Sequence, residues 1–206
     1  MVSSHKDLGI VIDSSLRFHP HIRSIAAKAS GMVSNFLKST ISRSRKFILS
    51  ILKTHIRPLL EFSSPVWHTG YSEDSKLLES VQRRWTKAIE GLAELSYGER
   101  LDQLDLFSVQ GRLVRADLIL CWKIFNGLST ISPDMLFSLD TRPGTRGHRY
   151  KLYHRFAYTE ARKRFFTIRC VPLWNSLPDS VVAAPTLTSF KSGLLRSIKH
   201  IFFDYA

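Results

Sequence analysis

The stretch from Ser108 to Asn126 constrains the fold more than any other part of the chain, because its apolar residues follow two helical stripes. One stripe contains Val109, Leu113, Ala116, Leu120 and Ile124, and the other contains Val114, Leu118, Cys121 and Phe125. Both stripes recur at intervals of three and four residues, which places side chains on one face of an α-helix. Gly127 follows as a typical helix stop. A helix that is apolar on two sides needs cover on both, so the pattern predicts the central helix of a bundle.

Further helices are predicted on both sides of this central one. Ser96 and Glu99 form a capping box that opens a short helix, and Pro58 is expected to kink or end the helix that contains it. The other helices predicted from apolar spacing begin at about residues 20, 44 and 72 and after Pro185, and the first three end near residues 38, 61 and 91. The predicted fold class is therefore mainly α, a helical bundle.

The chain opens with a short apolar run, Leu8–Asp13, that is rich in β-branched residues. Such a run is typical of a buried strand. A single strand is not stable without a sheet, and no other part of the chain shows a clear strand pattern. The sequence therefore predicts a short N-terminal orphan strand whose sheet lies upstream of this chain.

The formal net charge of +13 is unevenly distributed. Residues 1–60 carry a net +8, residues 61–140 a net −4 and residues 141–206 a net +9. Such an excess indicates the partners of a protein rather than its fold. Nucleic acid and an anionic membrane surface are the two polyanions that it favours.

The stretch from Arg142 to Pro178 combines positive charge with aromatic rings. Between Arg142 and Arg169 there are nine Lys or Arg residues and one acid, Glu160. Six aromatic residues lie among them, namely Tyr150, Tyr153, Phe156, Tyr158, Phe165 and Phe166. Charges beside flat rings suit single-stranded or hybrid nucleic acid, which offers phosphates and base faces together. A solvated basic surface whose aromatic residues belong to the core is the alternative.

Within this stretch the sequence predicts an extended part and a helical part. We expect residues 149–156 to be extended and residues 160–174 to be helical. Phe166 and Trp174 are predicted to be in the core, and Tyr150 and Tyr153 near the surface because their neighbours are charged. The basic C-terminal segment is thus predicted to be partly extended.

No arrangement of residues in the chain matches a known catalytic or metal site. A nucleotidyl transferase needs close carboxylates for two metal ions, but Glu73 and Asp74 are explained by a helix start, and Asp102 and Asp105 by a solvated helix face. The chain contains no glycine-rich phosphate loop and no nucleophile elbow. His19-Pro20-His21 lacks further ligands, so we expect no metal, no cofactor and no catalytic residue in this chain.

Two cysteines and the absence of targeting patterns predict an intracellular protein. Cys121 and Cys170 each lie in an apolar run and are expected to be buried free thiols. No apolar run approaches the ~18 residues that a membrane span needs, and the N-terminus does not resemble a signal peptide. We therefore expect a nuclear or cytoplasmic location, no secretion and no membrane partner.

Taken together, several blocks of the sequence resemble a known family. They occur in the family's order and at about its spacing, and together they cover nearly the whole chain. The blocks are residues 5–13, 57–62 with 64–67, 81–87, 95–101, 122–127, 145–148, 165–178 and 190–194. They resemble the region that follows the palm in reverse transcriptases of non-LTR retrotransposons, in particular the jockey-like elements.

The resemblance implies a C-terminal fragment of an RNA-directed DNA polymerase, with a helical thumb that grips template and primer. Residues 1–16 would be a post-palm strand remnant, 17–135 a thumb-like bundle, and 136–206 a basic extension docked on the bundle. The fingers, the palm with its paired aspartates and its Mg²⁺ are missing, so we expect no polymerase activity from this chain alone. The implied partners are RNA, an RNA–DNA hybrid, target DNA and the missing fingers and palm.

The predicted nucleic-acid contacts are basic residues in two groups. His148 could contact a phosphate or base, or form a hydrogen bond that stabilises a turn. The first group is Arg142, Arg146, His148, Arg149 and Lys151, with Arg162, Lys163 and Arg164 as phosphate contacts, and the second is Arg83, Arg84 and Lys87. The alternatives are an enzyme completed in trans, a non-functional retroelement relic and a helical protein-interaction module.

Overall fold

The computed structural model describes residues 4–142 and 148–198, and in these residues the predicted mainly helical fold class is confirmed. A short antiparallel hairpin precedes the helices. The elements are β1 (Ser4–Asp7), β2 (Ile10–Asp13), α1 (His19–Ser39), α2 (Arg45–Ile51), α3 (Arg57–Glu61), α4 (Ser64–Trp67), α5 (Ser72–Lys87), α6 (Tyr97–Leu104), α7 (Val109–Phe125), α8 (Pro133–Leu136), α9 (Glu160–Lys163), α10 (Phe166–Arg169), α11 (Val171–Ser176), α12 (Asp179–Val182) and α13 (Leu187–Ser197).

The N-terminal apolar run forms one strand of a hairpin, which corrects the prediction of an orphan strand. β2 pairs antiparallel with β1, with Asp7 opposite Ile10. Leu8 and Gly9 form the turn with φ angles of 43° and 90°, the positive values that tight hairpin turns require. β1 is exposed along its whole length, so it carries no apolar alternation by which the sequence could have revealed it. Ile10 is buried, and β2 packs on α1.

The second predicted helix continues through Pro58 instead of ending there. Between α2 and α3 the chain forms one π-helical turn, Leu52–Ile56, in which the Arg57 N–H donates to the Leu52 carbonyl. Proline has no N–H for a carbonyl one turn earlier, so the hydrogen-bond spacing changes just before it. The chain therefore stays helical from α2 through α3.

α7 lies between two apolar clusters, as expected for a central helix. Val109 and Leu113 belong to a first cluster with residues of β2 and α1 to α6. Leu118, Trp122 and Ile124 belong to a second cluster with residues of the C-terminal third of the chain. The core therefore divides along the axis of α7 rather than between its two predicted stripes.

The start of α7 is set by buried polar contacts. Glu79 of α5 accepts hydrogen bonds from the Val109 backbone N–H at 2.9 Å and from the Tyr97 hydroxyl. A carboxylate is favoured there because the N-terminus of a helix carries partial positive charge. Burial, together with the charge of Glu79, raises the pKa of Tyr97. The Ser108 hydroxyl completes the cap by accepting from the Gly111 N–H at 2.9 Å.

Two further local predictions are confirmed. The capping box before α6 is present, with the Ser96 N–H donating to Glu99 at 2.8 Å and the Ser96 hydroxyl accepting from the Glu99 N–H. Cys121 and Cys170 are both buried free thiols. Burial also raises the pKa of Cys121.

The single helix predicted from Glu160 to Trp174 is wrong, because the chain forms α9, α10 and α11 in its place. Phe165 adopts an extended backbone between α9 and α10. Pro172 lies in the first turn of α11, where it has no N–H to donate to a carbonyl of α10. Phe166 and Trp174 are nevertheless buried, as predicted.

Candidate nucleic-acid interface

The stretch formed by residues 148–165, called the basic segment below, is anchored by two adjacent residues of α11. The Trp174 indole Nε1 donates to the Tyr150 carbonyl at 2.9 Å. The Asn175 side chain makes two hydrogen bonds of 2.8 Å with the backbone of Leu152, one to the N–H and one to the carbonyl. The Leu152 side chain is fully buried. These contacts tie the start of the segment to the second cluster, whereas residues 153–156 and 158–160 face solvent.

His148 belongs to this anchor, which corrects its assignment as a nucleic-acid contact. Its side chain is buried, with 3% of its surface exposed. Its Nε2 donates to the Trp174 carbonyl at 3.0 Å, and the ring packs edge-on against the Trp174 indole. This hydrogen bond spans 26 residues, so it anchors the segment to α11 and is not the turn-stabilising bond considered above as the alternative. Arg146 lies outside the described residues.

Four aromatic side chains of the basic segment face solvent. Tyr153, Phe156, Tyr158 and Phe165 are 48%, 77%, 90% and 46% exposed. Phe156 and Tyr158 contact each other edge to face, with ring centroids 4.8 Å apart. Burying a side chain such as Phe is worth about 1.5–3 kcal/mol, so leaving these rings in solvent forgoes that stabilisation. Their faces are accessible to a partner.

Two cations of the segment lie directly over its rings. The Arg149 guanidinium is 4.8 Å from the centre of the Tyr150 ring, and that of Arg162 is 5.1 Å from the Phe165 ring. Such contacts are attractive because the ring face carries partial negative charge. They hold charge and aromatic surface side by side, which is the combination that the sequence predicted.

The predicted cations differ in their exposure and in whether they form ion pairs. Arg142 is exposed but pairs with Asp140 at 2.6 Å, and its hydrogen bonds lower the pKa of Asp140 to about 2. Lys163 is exposed and pairs with Glu160 at 2.7 Å. Lys151 is half-buried. Each ion pair reduces the charge that these residues offer to a partner.

Arg164 contacts residues of the helical bundle. Its guanidinium lies 3.9 Å from the centre of the Tyr71 ring, and its Nη1 donates to the Thr69 carbonyl at 3.0 Å. These contacts join α9 to the loop before α5. Arg164 therefore positions the basic segment, and because its side chain is 32% exposed its role as a phosphate contact stays a prediction.

The second predicted group is exposed but remote from the basic segment. Arg83, Arg84 and Lys87 all face solvent near the C-terminal end of α5, and Arg83 stacks over the Tyr97 ring at 4.7 Å. Tyr71, which contacts Arg164, precedes the same helix. At 1.5 Å per residue, the position where Arg164 contacts Tyr71 is about 20 Å from this group along α5. The structure therefore forms two basic surfaces rather than one.

Sequence reasoning missed a polar cluster that joins the bundle to the basic segment. Asp117 of α7 is buried and accepts two hydrogen bonds from Arg169, at 2.9 and 2.8 Å. Its other partner is His68 Nδ1 at 3.3 Å. Arg169 also donates to the Pro65 and Arg164 carbonyls, both at 2.8 Å. These residues lie far apart in the chain, so no local pattern could have predicted their contact.

This cluster forms the floor of a cleft of about 350 Å³ beside the basic segment. Lys163 and Arg164 lie at its edge together with Glu160. Arg155 was also absent from the predicted contacts, although it is exposed and donates to Ser138 Oγ at 2.7 Å. The sequence could have indicated Arg155 as a contact, because it lies one residue before Phe156 in the run where charged and aromatic residues alternate.

Within residues 4–142 and 148–198, no group of three or more His, Cys, Asp or Glu side chains could hold a metal ion. The same residues include no helix with the length and apolar character needed to cross a bilayer.

No protein-family model matches the chain, and no curated protein or solved structure matches it either. The resemblance to reverse transcriptases therefore rests on the sequence blocks themselves.

Proposed function

We propose that this chain binds single-stranded RNA or an RNA–DNA hybrid through the basic segment. It does so as the thumb and C-terminal part of a non-LTR retrotransposon reverse transcriptase. The observation that carries the proposal is the set of solvent-facing rings, Tyr153, Phe156 and Tyr158, among arginines on an anchored, non-helical backbone. The order of the sequence blocks supports the choice of family.

The chemistry of the segment favours unpaired bases, either those of single-stranded RNA or those of the single-stranded template next to an RNA–DNA hybrid, over a closed duplex. Arg149, Arg155 and Arg162 are exposed, and guanidinium groups bind phosphate oxygens with charge-assisted hydrogen bonds. Tyr158 and Phe156 present ring faces on which a base can stack, and stacking needs a base that is free of its neighbours. Phosphate and base-face contacts carry little sequence information, so we expect weak sequence preference.

Within a polymerase, this chain would hold template and primer and leave the chemistry to the palm. In the proposal, the paired carboxylates and the Mg²⁺ belong to a palm outside this sequence. The exposed group Arg83, Arg84 and Lys87 would contact the nucleic-acid backbone at a second place along α5. Two separate contact regions suit a ligand several nucleotides long.

A salt series on RNA binding tests the electrostatic part of the proposal. With these six phosphate contacts, three in the segment and three on α5, at ~0.7 released ions each for a single strand, log Kd should rise with log salt at a slope of about 4. The measurement is fluorescence anisotropy with single-stranded RNA, an RNA–DNA hybrid and duplex DNA at several salt concentrations. A slope below about 2 would contradict the phosphate contacts. Binding of duplex DNA as tight as that of RNA would contradict the preference.

Replacement of Tyr158 by alanine tests the stacking contact. Loss of one stacked base costs about 1–3 kcal/mol of binding free energy, so RNA affinity should fall about 5- to 150-fold. The salt slope should stay unchanged, because no cation is removed. Phe62→Ala is the matched control, since Phe62 is 60% exposed but lies outside the basic segment. Equal affinity of the two variants would contradict stacking on Tyr158.

A further inference from the structure

A second pocket, formed by residues outside the basic segment, lies between α7 and the continuous helical stretch from α2 to α3. It has a volume of about 340 Å³. Lys53 of the π-turn and Arg57 of α3 line one side, and Arg112 and Arg115 of α7 line the other. Two acids, Glu61 and Asp105, complete its charged residues. The pocket therefore holds four cations and two carboxylates, an excess of two positive charges.

One carboxylate of the pocket is already shared by two arginines. Glu61 accepts from Arg57 Nε at 2.8 Å and from Arg112 Nε at 2.6 Å. Burial raises the pKa of Glu61, but the charges and hydrogen bonds of Arg112 and Arg57 outweigh burial and bring the pKa below its usual value. Glu61 is therefore ionised at neutral pH and has little capacity left for the remaining cations.

Two guanidinium nitrogen atoms of the arginines that line this pocket have no hydrogen-bond partner among the described residues. They are Arg112 Nη2 and Arg115 Nε, and both are inaccessible to solvent. Arg112 as a whole is 7% exposed. Leaving a buried charged donor unpaired destabilises the folded chain. Burial, and the nearby charge of Arg57, also lower the pKa of Arg115. An anion in the pocket would offset the charge of both arginines, and rotation of either side chain would bring its unpaired donor to the anion.

We propose that this pocket binds a phosphate group, in the form of a phosphate monoester or inorganic phosphate. Such a group carries −1.5 to −2 charge at pH 7 and three acceptor oxygens or more, which matches both the excess charge and the unpaired donors. Donors reach the pocket from two helical elements in different directions, an arrangement suited to a tetrahedral anion. The proposal does not rest on RNA binding by the basic segment, which is formed by other residues.

The test compares inorganic phosphate with chloride at matched ionic strength, by thermal unfolding and by isothermal titration calorimetry. We expect phosphate to raise the Tm of the wild-type protein, and Arg115→Gln to weaken phosphate binding about tenfold or more, the effect of one charge-assisted hydrogen bond. Arg115 has no hydrogen bond to lose at Nε, so this variant should fold normally. Arg196→Gln is the control, because Arg196 is exposed on α13.

Phosphate also stabilises proteins in general by exclusion from their surface, and the variants separate that effect from binding. Equal Tm rises in wild type, Arg115→Gln and Arg196→Gln would overturn the proposal, as would the absence of a calorimetric signal. A rise that is lost in Arg115→Gln alone supports it.

A second experiment identifies which phosphate compound binds, a nucleic-acid end or a small molecule. It compares a 5′-phosphorylated oligonucleotide with the same oligonucleotide carrying a 5′-hydroxyl. Tighter binding of the phosphorylated form, lost in Arg115→Gln, assigns the pocket to nucleic-acid ends. Equal binding of both forms, with the inorganic phosphate effect retained, assigns it to small phosphate compounds.

Discussion

Replacement of Trp174 by alanine is expected to lower the free energy of unfolding by about 3–5 kcal/mol, the usual cost of removing a large buried aromatic side chain. Trp174 is fully buried and stacks on Phe125, with ring centroids 5.6 Å apart. Its indole N–H also donates to the Tyr150 carbonyl, which would lose its partner. Chemical denaturation gives the free energy, and the loss is large compared with the 5–15 kcal/mol stability of a typical domain.

The loss should be local to one half of the core. Hydrogen exchange should become faster in residues 148–198, which share the second cluster with Trp174, and remain slow in α1 and α5 of the first cluster. Tyr158→Ala is the matched control, because Tyr158 is 90% exposed and its removal should change stability by less than about 0.5 kcal/mol. Uniformly faster exchange in both clusters would contradict the division of the core along α7.

Replacement of Asp117 by alanine is expected to cost about 3–5 kcal/mol of stability, because it leaves Arg169, whose side chain is only 13% exposed, without its counter-charge. Asp117 is 4% exposed and forms a two-point ion pair with Arg169. Arg169 also binds carbonyls on both sides of the cleft, so its displacement should loosen the basic segment as well. The measurement is denaturant unfolding of wild type and variant at neutral pH.

A double-mutant cycle separates the ion pair from simple loss of packing. Arg169→Met removes the cation, so the double variant Asp117→Ala/Arg169→Met should be more stable than the sum of the two single losses predicts. Asp102→Ala serves as the control, since Asp102 is an exposed acid on α6. Strictly additive losses would show that the two side chains do not stabilise each other.

Much of the secondary structure could be predicted from the sequence because its signals are local. The two stripes of α7, the capping box of Ser96 and Glu99 and the start of α5 at Ser72 each depend on residues within a few positions of one another. The errors occur where local signals were weak or conflicting. β1 had no apolar face to reveal it, and Pro172 divides a run whose apolar spacing looks continuous.

The candidate sites were less accessible to prediction. Phe156 follows Arg155 and is exposed, whereas His148 precedes Arg149 and is buried beside Trp174. Arg164 and Arg169 belong to the same basic stretch, yet both are committed to the bundle. Charge and aromatic content thus identified the basic stretch as a candidate site. They did not distinguish its exposed residues from the residues that anchor it to the bundle.

By itself, the sequence determined the helical class, the central position of α7, the burial of Trp174 and the presence of a basic, aromatic C-terminal stretch. These properties follow from side-chain spacing and composition, which act over one or two helical turns. The tertiary structure decided which cations and rings face solvent, and it created the Asp117–Arg169 cluster and the pocket of Arg112 and Arg115. The cluster and the pocket depend on contacts between residues about 50 positions apart. No local periodicity relates residues at that separation.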